Sequence, residues 1–183
     1  IWTNAPDLVK EGLQEAGHVN IEIRDIEQES SNLRLYSQIT EKLKSDAYSG
    51  SLGVAVDMLK YSVLYYEGGI IADLNFVFFE SADKLLSNGC NFVTLAAENS
   101  FLAAPEKSEI IDRIIKDHEV LWNAGYSYMD GDGFFKHGFQ TTLHNLDNAQ
   151  DTKIIRSDSA TSIGKDLPYG NSWRDRKSTR LNS

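Results

Sequence analysis

The sequence predicts an α/β fold, a mostly parallel sheet flanked by helices. Three observations predict it. Short apolar strands alternate with amphipathic helices along the chain. A glycine pair, Gly68-Gly69, joins the most apolar helix to a short apolar strand. That strand ends in Asp73 and Asn75, and the carboxyl end of a strand is where open α/β sheets usually bind ligands.

The elements follow in order. Asn4-Ala5-Pro6-Asp7 opens a short helix with Leu8, Val9 and Leu13 on its apolar side and Gly17 at its end. Val19 to Ile23 alternates with period two and reads as a strand. Residues 32–44 read as a helix, because Leu35, Ile39 and Leu43 recur every four residues. Leu52 to Glu67 is a second, more apolar helix, ended by the glycine pair. Ile70 to Asp73 is a short buried strand, and Phe76 to Phe79 continues or restarts it. Asn91 to Ala97 is a further strand. Pro105 introduces a helix with Ile110, Ile111, Ile114, Ile115 and Leu121 on one side, and Gly125 stops it. Tyr126 to Trp173 is rich in Gly, Asp and Ser and carries no clear period.

Composition narrows the function. The chain has 183 residues, 41% of them hydrophobic and 25% charged, which suits a globular chain and not a disordered or fibrous one. A net charge of -9 without a basic run argues against nucleic acid or an anionic membrane as partner. A single cysteine, Cys90, excludes an intrachain disulfide and a cysteine zinc cluster. No apolar run approaches the roughly 20 residues that span a bilayer. His18, His118, His137 and His144 lack zinc spacing, and no G-x-S-x-G elbow is present.

The tail, Asp175 to Ser183, can be written codon by codon as GAT CGG AAG AGC ACA CGT CTG AAC TCC. That resembles the start of a common sequencing-library adapter, so residues 175–183 read as a translated scar and residues 1–174 as a single domain, enough for a real core. Both ends then read as cut, as in a fragment. Without the tail, the 18 basic residues become 15 and the 27 acidic residues become 26, which moves the charge from -9 to -11.

The informative stretch runs from Ala55 to Asn75. Asp57, Lys60 and Tyr61 lie at i, i+3 and i+4, so they share a helix face. Asp73 and Asn75 are two apart and share one side of an extended chain. Both offer oxygen, which hard cations such as magnesium and manganese prefer. Each feature also has a plain reading: a surface ion pair worth about 0.2–0.5 kcal/mol, a turn, a helix cap. Together they place polar groups in an otherwise buried region.

This order, A-x-D-x-L-K-Y-x-x-L-Y-x-x-G-G-I-x-x-D-x-N over 21 residues, resembles the DXD signature of nucleotide-sugar glycosyltransferases. These include polysaccharide-building transferases, Golgi mannosyltransferases and the catalytic domains of large clostridial glucosylating toxins. Ile1-Trp2-Thr3 resembles the family's first strand, Asn99 to Pro105 its N-x-x-L-A-A strand, and Ser172-Trp173 its closing S-W. The resemblance implies a GT-A fold: a Rossmann-like nucleotide-diphospho-sugar transferase domain with a divalent metal. It implies Asp73, Asp57 and Lys60 as catalytic residues. Trp2 would stack on the base. Asp57 would bond sugar hydroxyls, and Lys60 would face sugar and diphosphate. Asn99 would lie near the sugar, and Ser172 and Trp173 would close over the diphosphate. Asp73 and Asn75 would hold Mn2+ or Mg2+. The implied reaction moves a hexose, from a UDP-sugar in the first instance, to a hydroxyl of a carbohydrate or protein acceptor with retention. The implied setting is a bacterial cytoplasm, or a host cell reached by an effector.

Two positions depart from the pattern. Asn75 replaces a carboxylate and Ile71 a frequent Tyr. Lys60 also stands where Arg is commoner, keeping the charge without the bidentate fork. Asn75 keeps alive a second reading, a degenerate non-catalytic module that binds nucleotide sugar. A third reading is a haloacid-dehalogenase-like phosphatase, from Asp73-Leu74-Asn75-Phe76-Val77 and Gly131-Asp132-Gly133. Asn75 in place of the general acid/base, and Lys136 in place of a metal-binding acid, count against it. Asp130 to Gly133 reads best as a solvated turn.

Overall fold

The computed structural model describes residues 1–44, 52–73, 76–81, 91–95, 98–124, 136–147, 154–156 and 164–166. Strand β1 (Trp2–Thr3) leads through helix α1 (Pro6–Glu15) to β2 (Arg24–Asp25). A 3-10 turn at Ser30–Asn32 precedes α2 (Tyr36–Lys44). Helix α3 (Leu52–Glu67) is followed by β3 (Gly69–Ala72) and β4 (Phe76–Phe78). Then come β5 (Phe92–Leu95), β6 (Glu98–Ala104) and α4 (Glu109–Asn123). A π-helical turn at Lys136–Gln140 runs into α5 (Thr141–Asp147), and β7 (Ile154–Arg156) and β8 (Gly164–Asp166) follow.

The main sheet has the order β3-β6-β5-β7, and β1-β2 and β4-β8 form separate pairs. The expectation of a mostly parallel sheet is corrected. β6 lies antiparallel to both β3 and β5, while β5-β7 and β1-β2 are parallel. The connections explain this. Helix α1 crosses between β1 and β2, and helices intervene between β5 and β7, so those pairs run parallel. β5 and β6 are joined tightly and must return antiparallel.

Three predicted elements move. The strand near residues 19–23 is instead Arg24–Asp25, in register with Trp2 and Thr3. Val19 is 81% exposed, so the alternation there has no buried face to serve. The helix expected from residue 32 begins at Tyr36, because Leu35 adopts φ 64° and breaks the turn. Leu35 packs against two core clusters, which offsets that strain. β3 is half-buried, and β4 restarts apart from it: β4 pairs with β8, not with the main sheet. Helix α3 matches its expected span, and α4 begins at Glu109 with Ser108 as its N-cap.

The core forms because β6 sends alternate side chains to opposite faces. Leu102 and Ala104 join Tyr61 and Leu64 of α3, the α4 isoleucines, Phe139 and Leu143. Phe101 and Ala103 join Phe76 and Val93 on the other side. Within the core His118 is buried, with Nδ1 2.7 Å from the Ile114 carbonyl. Burial lowers its pKa from 6.5 to about 4.

The turn from α3 to β3 is fixed by close approach. Gly68 has φ 67°, and a Cβ there would lie 2.4 Å from the backbone nitrogen of Glu106. Beside it Lys107 donates its N–H to the Tyr65 carbonyl at 2.8 Å. Gly69 has φ 87° but open space around it. The glycine pair is therefore more than a cap.

Two predictions follow from this packing. Gly69→Ala should cost about 1–2 kcal/mol of left-handed strain. Gly68→Ala should add about 1–3 kcal/mol of overpacking to that. Urea denaturation checks the ranking, and equal losses would contradict it. His118 sets the second. Its folded pKa lies below its unfolded one, so its contribution is complete above pH 6.5 and is lost as pH falls towards 4. A fall from 6.5 to about 4 corresponds to about 3 kcal/mol. His118→Leu should flatten the fall in unfolding free energy between pH 7 and 5.

Candidate functional site

Three elements assemble the site. α3 presents Asp57, Lys60 and Tyr61 from one face. β3 ends at Ala72, so Asp73 follows directly. β6 pairs with β3 through Ala72 and Phe101, and Asp73 N–H donates to the Ser100 carbonyl at 2.8 Å, which extends the pairing by one step. That step brings Asp73 beside Asn99. The Asp73 carbonyl then accepts from Phe76 N–H at 2.8 Å and turns the chain into β4.

Lys60 is the hub. Its Nζ lies 2.6 Å from Asp73 Oδ1 and 3.1 Å from Asp57 Oδ1, and donates to the Asn99 backbone carbonyl at 3.1 Å. An ammonium has three protons, and these are three acceptors. The Lys60 and Asp57 side chains are 12% and 16% exposed, so this is no surface pair. Asp73 is 36% exposed and reaches solvent.

The electrostatics follow from burial. Burial pushes the Asp57 carboxyl above 3.8, with Lys60 and an Asn99 hydrogen bond opposing and Asp73 adding to the rise. Burial pulls the Lys60 ammonium down, but the Asp57 and Asp73 carboxylates outweigh it and its pKa is raised above 10.5. With all three ionised the cluster carries one net negative charge.

Asn99 also bonds Tyr61: its Nδ2 donates to the phenolic oxygen at 2.9 Å. The Tyr61 ring is fully buried, 5.0 Å from His118 and stacked on Phe139 at 5.8 Å. Next to Asn99, the Ser100 hydroxyl is buried with no hydrogen-bond partner among the described residues.

Asp57, Lys60, Asp73 and Asn99 are thus brought together. Trp2 is placed elsewhere. Its ring meets Tyr66 edge-on at 6.5 Å, with the Arg24 guanidinium 5.8 Å from its centroid. Tyr66 is six residues past Lys60, about 9 Å further along α3. Ile71 packs half-buried against the core. Asn75, Ser172, Trp173 and the Asp130–Gly133 patch lie outside the described residues, as do residues 175–183. The role of Tyr61 as partner of Asn99 had no signal in the sequence beyond its place on the Asp57 face.

Among the described residues no group of three or more His, Cys, Asp or Glu could hold a metal ion. Within the cluster Asp73 has the more exposed carboxylate, at 36% against 16% for Asp57. Magnesium is commonly held by one or two carboxylates plus substrate phosphates, so Asp73 fits that mode and not an all-protein cage. Among the described residues no helix is long and apolar enough to cross a membrane.

The ion-pair hub generates a prediction. Lys60→Met leaves Asp57 buried without its counter-charge and should cost about 3–5 kcal/mol. The double variant Lys60→Met, Asp57→Asn should recover much of that loss. Asp57 can take a proton in acid, so the Lys60→Met penalty should shrink from pH 8 to pH 5. Denaturant unfolding at both pH values checks this, and a pH-independent penalty would refute it.

No family model matches the chain, and no curated protein matches it. Among solved structures it is similar to "PaToxG Glycosyltransferase", with a TM-score of 0.52 and 16% identity, over 75% of this chain and 50% of that one. The chain spans about half the length of that structure. At this identity the likeness shows the fold alone, a mixed helix-and-strand fold shared with that structure.

Proposed function

We propose that the chain is a glycosyltransferase that moves a hexose from a nucleotide sugar, a UDP-sugar in the first instance, to an acceptor hydroxyl on carbohydrate or protein, with retention. The observation that carries this reading is Lys60 held between Asp57 and a part-exposed Asp73, in a chain with a glycosyltransferase fold.

Asp57 accepts hydrogen bonds from sugar hydroxyls, because its carboxylate is held in place but not fully enclosed. Asn99 lies beside it and adds an amide. Lys60 has an acceptor for each proton, so its work is to fix both carboxylates against their mutual repulsion. Asp73 stands on the solvent side, where the diphosphate arrives. Trp2, beside Tyr66 further along α3, would take the base, and Ser172 and Trp173, outside the described residues, would close over the diphosphate. The cluster's net negative charge repels a diphosphate, so a cation is needed. Mg2+ or Mn2+, held by Asp73 and Asn75, would supply Lewis-acid neutralisation of the leaving diphosphate.

Asn75 favours one second reading: a module that binds nucleotide sugar without turnover. Asn in place of Asp removes an anionic ligand, although its carbonyl oxygen remains a ligand for a hard cation.

The test takes the full chain with a panel of UDP- and GDP-hexoses and manganese or magnesium. It measures released nucleotide and binding calorimetry together. We expect metal-dependent release from one donor, and a drop of at least about 100-fold in kcat/KM for Asp57→Asn and for Asp73→Asn. Binding without release in the wild type, followed by metal-dependent release in Asn75→Asp, would establish the second reading. A folded chain that binds no donor would overturn both.

A further inference from the structure

We propose that Tyr61 is a positioning residue for the sugar end of this site, acting through the side-chain amide of Asn99. The inference rests on the reading that the Asp57 face receives the hexose of the donor.

Tyr61 is fully buried, yet its hydroxyl faces the polar cluster. A buried hydroxyl is costly unless it is hydrogen-bonded, and Asn99 Nδ2 supplies a bond at 2.9 Å. One proton of the amide nitrogen is thus taken up by the Tyr61 oxygen. The Asn99 amide also opposes the burial-driven rise of the Asp57 carboxyl. The backbone of the same residue is held by Lys60, which donates to its carbonyl at 3.1 Å. Asn99 is thereby fixed at main chain and side chain.

Tyr61 is itself a rigid anchor. Its ring lies against His118 at 5.0 Å and stacks on Phe139 with planes 6° apart. Phenylalanine would fill the same space and keep both ring contacts. What tyrosine adds is the oxygen that orients Asn99. The benefit falls on the sugar, because Lys60 holds Asn99 and Asp57 side by side, 3.1 Å from each. A pre-ordered unit binds without the cost of being ordered by the ligand.

The experiment uses the full chain and compares the UDP- or GDP-hexose it binds with the matching nucleoside diphosphate alone. In Tyr61→Phe the Kd for the sugar nucleotide should rise about tenfold. The Kd for the free diphosphate should stay within about twofold, and the thermal midpoint within a few degrees. Asn99→Ala should show the same sugar-specific loss, and the double variant no further loss. Equal weakening of both ligands, no weakening, or additive losses in the double variant would each overturn the proposal. Solvent exchange of the Asn99 side-chain amide protons, followed by NMR, tests the link without any donor. Exchange should quicken about tenfold in Tyr61→Phe, because the anchoring bond is gone. Unchanged exchange would overturn the positioning role even if donor binding is real. A wild-type chain that binds no sugar nucleotide would instead bring down the functional reading and this inference with it.

Discussion

A lysine is held inside this protein by two carboxylates, and the site depends on that arrangement. Taking an ammonium out of water costs several kcal/mol unless close partners replace the water. Asp57 and Asp73 do so from two different elements, a helix and the end of a strand. Lys60 therefore ties α3 to the β3 edge. It also does what neither acid can do alone, since two bare carboxylates this near would repel and one would take a proton. The raised pKa of Lys60 expresses that demand: both neighbours stabilise its charge more than burial opposes it.

The hub is supported from below by packing. α3 is apolar round much of its surface, as suits a helix buried on several sides. Lys60 and Tyr61 are consecutive, about 100° apart on the helix. One meets the acids, the other enters the core beside the α4 isoleucines. The same helix thus carries the polar cluster and the wall behind it. Arg34 strengthens the opposite flank, pairing with Asp112 of α4 while its carbonyl accepts from Ser62 Oγ at 2.7 Å. Asp112 in turn is held below 3.8, because Lys116 and Arg34 outweigh its partial burial.

Some of this was legible in the sequence and some was not, for physical reasons. α3 was legible because a long apolar run without a breaker has one local solution, and because Gly68 marks its end. The face shared by Asp57, Lys60 and Tyr61 followed from helix spacing alone. Strand direction was not legible. Alternating elements suggest parallel pairing, but direction depends on how tightly two strands connect, and β6 turns straight back on β5. The strand at β2 was displaced for a similar reason: residues 19–23 alternate well, yet pairing with β1 selects Arg24 and Asp25. Asp73 was singled out as a ligand, but its bond to Lys60 needs the β3 return and has no local signal. Asn99 came only through its resemblance to a motif. Its bond to Tyr61 spans 38 positions, and no local pattern predicts such a contact.

The remaining link is register. Lys60 can reach Asp73 only if α3 stops at the right residue, since each extra helical residue rotates the chain by about 100° and advances it about 1.5 Å. Gly68 sets that stop. Its N–H still bonds the Leu64 carbonyl as a helical residue would, but its φ of 67° then turns the chain away. The Glu106 backbone fills the space where a side chain would sit. The turn before α4 thus fixes the end of α3, and the end of α3 fixes where β3 begins. From Gly69 four strand residues lead to Asp73, in register with β6 down to Ala72 and Phe101. A backbone contact with no catalytic chemistry of its own therefore sets the distance across the ion-pair hub. It also explains why glycines stand between the helix acid and the strand acid: the site needs a sharp turn and a close backbone approach at one point, and Gly68 supplies both.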